Sequence, residues 1–147
     1  MNKISYEFSK KEDRYEIIID DKKTGKYFDA PGLVLSAEQD GVFPMFSGNC
    51  GMLGCCGAYV EVESIGDHII WQKFWNGQCH GKPELEDELL EFKLTEDFII
   101  RPPLVFNRNE YKKLTESLVE DIKKKPDQQK RFLETLERYK SGDRSNM

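Results

Sequence analysis

The sequence predicts an α+β fold: an antiparallel β-sheet or sandwich of about six to eight strands with two C-terminal helices packed on one face or edge. Three observations carry this expectation. Over roughly the first hundred residues apolar side chains alternate with polar ones, which is the period of half-buried strands. After Arg101-Pro102-Pro103 the apolar spacing changes to three, four and seven, which is the period of a helix with one buried stripe. No helical stretch is evident between the early strands, and parallel sheets need such crossovers.

The first strand pair is the clearest near the start of the chain. Ile4, Tyr6 and Phe8 alternate with Ser5, Glu7 and Ser9, and Tyr15, Ile17 and Ile19 alternate with Glu16, Ile18 and Asp20, with a polar turn over Lys10 to Asp13. Asp20 to Gly25 is expected to turn the chain again before a short Tyr27-Phe28 segment. Pro31 and Gly32 are expected to break the chain before Leu33 to Leu35. The stretch Gly48 to Gly57 holds four glycines and three cysteines in ten residues, which suits a tight irregular loop.

A second hairpin follows. Ala58, Val60 and Val62 alternate with Tyr59, Glu61 and Glu63, Gly66-Asp67 supplies the turn, and the chain returns through Ile69, Ile70, Trp71 and Phe74. A third pair runs over Leu89 to Leu94 and Phe98 to Ile100, preceded by an acidic loop at Glu84 to Glu88. Arg101-Pro102-Pro103 is expected to end the sheet, because proline donates no ladder hydrogen bond and restricts the residue before it. Asn107 or Asn109 then caps a helix with Tyr111, Leu114, Leu118, Val119 and Ile122 on its apolar side. Pro126 opens a second helix, whose stripe is Phe132, Leu133, Leu136 and Tyr139. At 147 residues the chain has the size of one domain, so residues 1–147 are expected to share a core, strand-rich over 1–100 and helical over 107–140.

Composition restricts the function classes. The formal net charge of -5 and the lack of a long basic cluster argue against nucleic-acid binding, which depends on clustered Lys and Arg. The short basic run Lys123 to Lys125 is a solvated helix end. Apolar runs such as Ile17 to Ile19 fall far short of the ~18 to 20 residues that cross a bilayer, and Met1 to Lys11 is charged, so no membrane span or signal region is expected and the location is cytoplasmic.

Chemistry-bearing residues gather in one span: Cys50, Cys55, Cys56, Cys79 and His80. Zinc takes four tetrahedral nitrogen or sulfur ligands, and a thiolate from each of two loops with a neighbouring His would supply them. Against this, Cys79 and His80 are adjacent and do not easily reach one ion. A thiol nucleophile is a second reading, because backbone N–H groups of a glycine-rich loop lower a thiol pKa, with His80 as the base. The plain alternative is a set of reduced cysteines packed as small hydrophobes, with no cofactor. No phosphate loop, dinucleotide fingerprint, H-E-x-x-H or G-x-S-x-G is present. His68 is expected to be exposed turn polarity. Trp71 and Phe74 suit a core, whereas Trp75, beside Asn76-Gly77, is the candidate for a partner surface.

Phe43-Pro44-Met45-Phe46, Cys50-Gly51-Met52-Leu53-Gly54-Cys55, Ile70-Trp71-Gln72-Lys73-Phe74, Gln78 to His80 and Leu104-Val105-Phe106-Asn107-Arg108 with Tyr111 follow one another in that order. This set resembles a group of uncharacterised bacterial proteins in which a C-x-C-G-x-x-G-C block precedes a V-x-W strand and an F-x-F-[DN]-R-x-x-Y segment opens a helix. The likeness covers roughly residues 43 to 111. Gly48 stands where the group has its first cysteine, and Cys56 is added. The resemblance implies a bacterial origin and a shared scaffold, and it carries no statement about activity. Two functions are therefore expected in turn: a non-enzymatic protein-binding module, immunity- or adaptor-like, or a metal- or thiol-dependent enzyme centred on the Cys50/Cys55/Cys56 loop.

Overall fold

A computed structural model describes residues 1–47, 58–76, 88–95 and 97–142 of the chain. The strands are β1 (Ile4–Ser9), β2 (Arg14–Ile19), β3 (Lys22–Phe28), β4 (Gly41–Ser47), β5 (Ala58–Ile65), β6 (His68–Asn76), β7 (Glu88–Leu89), β8 (Phe92–Thr95), β9 (Phe98–Ile100) and β10 (Leu104–Asn107). The helices are α1 (Ala30–Glu38), α2 (Arg108–Lys123) and α3 (Pro126–Lys140). Eight strands form one antiparallel sheet in the order β1-β2-β3-β4-β5-β6-β10 with β7 beside β6, and β8-β9 is a separate ribbon. The expected α+β class, antiparallel sheet and pair of C-terminal helices are all present.

The edges of the large sheet meet at one end. Asn2 forms a parallel bridge to Phe106, with its N–H donating to the Val105 carbonyl at 2.8 Å and its Oδ1 accepting from the Val105 N–H at 2.9 Å. The sheet is thereby curved onto itself, and α1 packs against it at β4. Ile17, Ile19, Phe43, Met45, Phe46, Val60, Ile69, Trp71, Phe74 and Phe106 form the centre of one continuous buried cluster. The rings of Phe46, Trp71, Phe74 and Phe106 meet edge to face, an arrangement that adds about 0.5 to 1.5 kcal/mol per pair beyond burial.

Two bulges explain how so many aromatics reach that cluster. Phe43 pairs with Val60, Pro44 with Tyr59 and Phe46 with Ala58, so Met45 is an extra residue on β4. Likewise Glu61 pairs with Lys73 and Val62 with Trp71, so Gln72 is extra on β6. An extra residue reverses the alternation. Phe43 and Phe46, and again Trp71 and Phe74, are three apart in sequence yet lie on the same side.

Several sequence expectations are corrected. Pro31 and Gly32 do not break the chain; they lie inside α1, with Asp29 as its N-cap. The turn after β2 is confined to Asp20 and Asp21, both with positive φ (52° and 65°), and β3 starts at once at Lys22. This is the backbone twist a two-residue hairpin needs. The Pro102-Pro103 pair does not end the sheet, because β10 follows it and pairs with β6. Tyr59 is buried rather than outward. Leu133 is 50% exposed, since the stripe that docks α3 is Phe132, Leu136 and Tyr139, at spacings of four and seven.

Candidate functional site

Strand β4 ends at Ser47, β5 begins at Ala58 and β6 ends at Asn76, and the ladder joins Phe46 to Ala58 and Ala58 to Asn76. The segments that carry the cysteines are therefore rooted side by side at one end of the sheet. Cys50, Cys55, Cys56, Cys79 and His80 themselves lie outside the described residues. Among the described residues no group of three or more His, Cys, Asp or Glu is placed to hold a metal ion.

Trp75 is at this same end. It pairs with Tyr59, is half-buried, and has Lys73 Nζ 6.0 Å from its ring centre. Its indole nitrogen is buried and meets no acceptor among the described residues. His68 begins β6 opposite Ile65, half-buried.

The buried polar chemistry of the described residues centres on α1. Seven consecutive residues, Pro31 to Ala37, are buried, so the helix is enclosed on all sides. Its start is held against β4. The Asp29 N–H donates to the Met45 carbonyl at 2.9 Å, the carbonyl of the bulged residue, and Asp29 Oδ1 accepts from the Gly32 N–H at 3.1 Å. A Cβ on Gly32 would lie 1.8 Å from the Pro44 carbonyl oxygen, so only glycine permits this approach.

Asp29 Oδ2 also accepts from the Tyr139 hydroxyl at 2.8 Å, which ties the last turn of α3 to the first of α1. Asp29 has no solvent exposure. Burial pushes its carboxyl up to about 7, against the opposing pull of the Gly32 N–H, the Tyr139 hydroxyl and the Arg138 charge. Tyr139 is pushed up in turn, by burial and then by the Asp29 charge.

A second buried contact joins α1 to α2 and β6. Ser36 Oγ donates to the Leu33 carbonyl at 2.6 Å and lies 2.6 Å from the Tyr111 hydroxyl, which accepts from Trp71 Nε1 at 3.2 Å. Burial raises Tyr111 to about 12, so this group stays neutral. A third, more exposed contact joins β1 to α2, where the Tyr6 hydroxyl donates to Asp121 Oδ2 at 2.6 Å.

No family model, curated protein or solved structure matches the chain. The geometry of the chain itself is therefore what bears on function.

The outward side of the sheet differs from the core side. Ladder rows there read Glu7, Glu16, Tyr27; Ser5, Ile18, Lys23; Val42, Glu61, Lys73; and Glu63, Ile70, Val105. Lys23 pairs with Glu7 at 3.0 Å, and Gln72 bonds Glu63. Ile65 is 51% exposed at the end of β5. On β5, β6 and β10 this side thus presents Ile65, Ile70 and Val105 beside Glu61 and Glu63. On β5 the alternation already names Glu61 and Glu63 as outward, but that Ile70 and Val105 stand in a row with Glu63 depends on the Gln72 bulge and on the return of β10 to the sheet.

Among the described residues no helix is long and apolar enough to cross a membrane.

Proposed function

We propose that the chain is a non-enzymatic protein-binding module of the immunity or adaptor kind, which binds its partner through the outward side of β5, β6 and β10. The observation that supports this is the placement of Ile65, Ile70 and Val105 next to Glu61 and Glu63. Ile65, half exposed, with the partly buried Ile70 and Val105, supplies apolar contact, and the carboxylates set the sign of the partner. A protein surface with aliphatic or aromatic side chains flanked by Lys or Arg is complementary to it. The net charge of -5 adds long-range attraction for a basic partner.

Affinity capture from the protein's own cells tests this reading, with the wild-type chain beside an Ile65→Lys variant and a Glu61→Lys/Glu63→Lys variant, each checked for an unchanged melt. One protein retained in stoichiometric amount, eluted by salt and lost in both variants is the expected result. Equal retention by all three chains, or by none, would sink the reading.

A second reading, a metal- or thiol-dependent enzyme centred on Cys50, Cys55 and Cys56, is favoured by one observation: the strands that lead into the Cys50–Cys56 and Cys79-His80 segments end side by side. Metal analysis of protein purified without an affinity tag, beside a Cys50→Ala/Cys55→Ala variant, tests it. Stoichiometric zinc in the parent, lost in the variant, would move this reading to first place.

A further inference from the structure

We propose that Phe8, Tyr15 and the last turn of α2 form a binding site for a small primary alkylammonium ion, a site that Lys125 fills from within the chain. Phe8 of β1 and Tyr15 of β2 are direct ladder partners, with ring centres 5.0 Å apart. Lys125, in the link between α2 and α3, reaches back to them. Its Nζ lies 4.3 Å from the Phe8 ring centre and donates to the Tyr15 hydroxyl at 3.1 Å and to the Asp121 carbonyl at 3.5 Å. The Tyr15 ring centre is 5.4 Å away, so the ammonium meets that residue at its hydroxyl rather than on its face. A primary ammonium carries three N–H groups, and two oxygens and one ring face receive them.

No counter-ion takes part. The Asp121 carboxylate accepts instead from the Tyr6 hydroxyl at 2.6 Å, and among the described residues Lys125 has no ion pair. What selects the cation is therefore the number and direction of its donors, which a primary ammonium has and a quaternary one lacks. The walls also stand without their occupant. Tyr15 is 5% exposed and lies edge to face on Tyr6, and the Phe8–Tyr15 pair is fixed by the ladder of β1 and β2. The corner between α2 and α3 is held on this hairpin by other contacts, Gln128 Nε2 donating to Asp13 Oδ1 at 2.8 Å and the Tyr6 bond to Asp121. The Lys125 backbone is fastened by its N–H to the Ile122 carbonyl and by its carbonyl to the Gln129 N–H, both at 2.9 Å, and its side chain makes no cap bond to α3. The half-buried side chain can leave without breaking any of these contacts, and an outside alkylammonium then meets the same three partners.

Lys125→Ala in the full chain empties the site, and n-propylammonium, which restores the atoms that the substitution removes, is the probe. The Tyr15 ring resonances of the variant should shift saturably with n-propylammonium chloride and its melting temperature should rise, whereas tetramethylammonium chloride and sodium chloride at equal ionic strength should do neither. Adding Phe8→Leu to the variant should weaken the response about tenfold or more, because the ring face is lost. In the wild-type chain the same shift should need about tenfold or more of the amine, because Lys125 competes as a tethered group at high local concentration. Equal responses to the three salts, equal affinity with and without Phe8→Leu, or equal affinity in wild type and variant overturns the proposal. Should Lys125→Ala not fold, the ε-methylene protons of Lys125 in the wild-type chain decide it: their move from a ring-shifted position to that of the exposed lysines as n-propylammonium is added sustains the site, and an unmoved signal overturns it.

Discussion

Helix α1 is held at its two ends by buried polar contacts of different character. At its start Asp29, a titratable acid, meets Tyr139 of α3; near its end Ser36 meets Tyr111 of α2 and, through it, Trp71 of β6. All of these side chains are fully or almost fully buried. The Ser36 group consists of hydroxyls and an indole and keeps the same charge across the physiological range. The Asp29 group changes charge near pH 7. Equal depth in a core therefore does not give equal constancy: what decides it is whether the buried group can ionise.

The largest effect is expected where the two contacts share a foundation. Gly32→Val removes the seat on the Pro44 carbonyl and displaces both ends of α1, so stability should drop by about 3 kcal/mol or more, read as a lowered melting temperature and a loss of near-ultraviolet dichroism. A melt close to wild type would show that α1 can shift on β4 without cost.

The next effect separates the ends by pH. The folded pKa of Asp29 lies above its ordinary 3.8, so between about 4 and about 7 the native state holds a proton that the unfolded chain has lost. Its stabilising contribution is complete below about pH 4 and is lost as the pH rises through about 7. Urea titrations at successive pH values should give a stability that falls by up to about 1.4 kcal/mol per pH unit from this group, and Asp29→Asn should flatten that fall.

Tyr111→Phe probes the contrast from the other end. It leaves Ser36 and the Trp71 indole without their shared partner, at a cost of about 1 to 3 kcal/mol, and the slope of stability against pH between about 4 and 7 should not change. A changed slope would mean that the two ends are coupled through α1. The smallest effect belongs to the exposed contact: Tyr6→Phe removes the bond to Asp121 and should lower stability by about 1 kcal/mol, because water replaces the lost partner.

Much of the fold is legible in local pattern alone. The alternation in β1, β2 and the outer half of β5 is imposed by one face turned to the core and one to solvent, and such a face leaves its period in the chain. The same holds for α2, where Asn107 Oδ1 does accept from the Glu110 N–H, and for the start of α3 at Pro126. Helix α1 is not legible in this way, because it is buried all round and so has no polar face to mark its period. Its start signal is present, an Asp followed two residues later by Pro31, but the adjacent Gly32 reads as a breaker when it is a point of close approach.

What the sequence by itself determined, then, is the class of the fold, the strands with one solvent face, the two C-terminal helices and the acidic residues that alternate outward. What only the tertiary structure decided are the bulges at Met45 and Gln72, the return of β10 to the sheet, and the contacts that join Asp29 to Tyr139 across 110 positions and Ser36 to Tyr111 across 75. The physical reason is range. Capping and alternation are settled within a few residues of backbone geometry. The partner of a buried hydroxyl or carboxyl is settled by which distant element the closed core brings to it, and desolvation, the force that makes Asp29 titrate near neutrality, exists only once that core has closed.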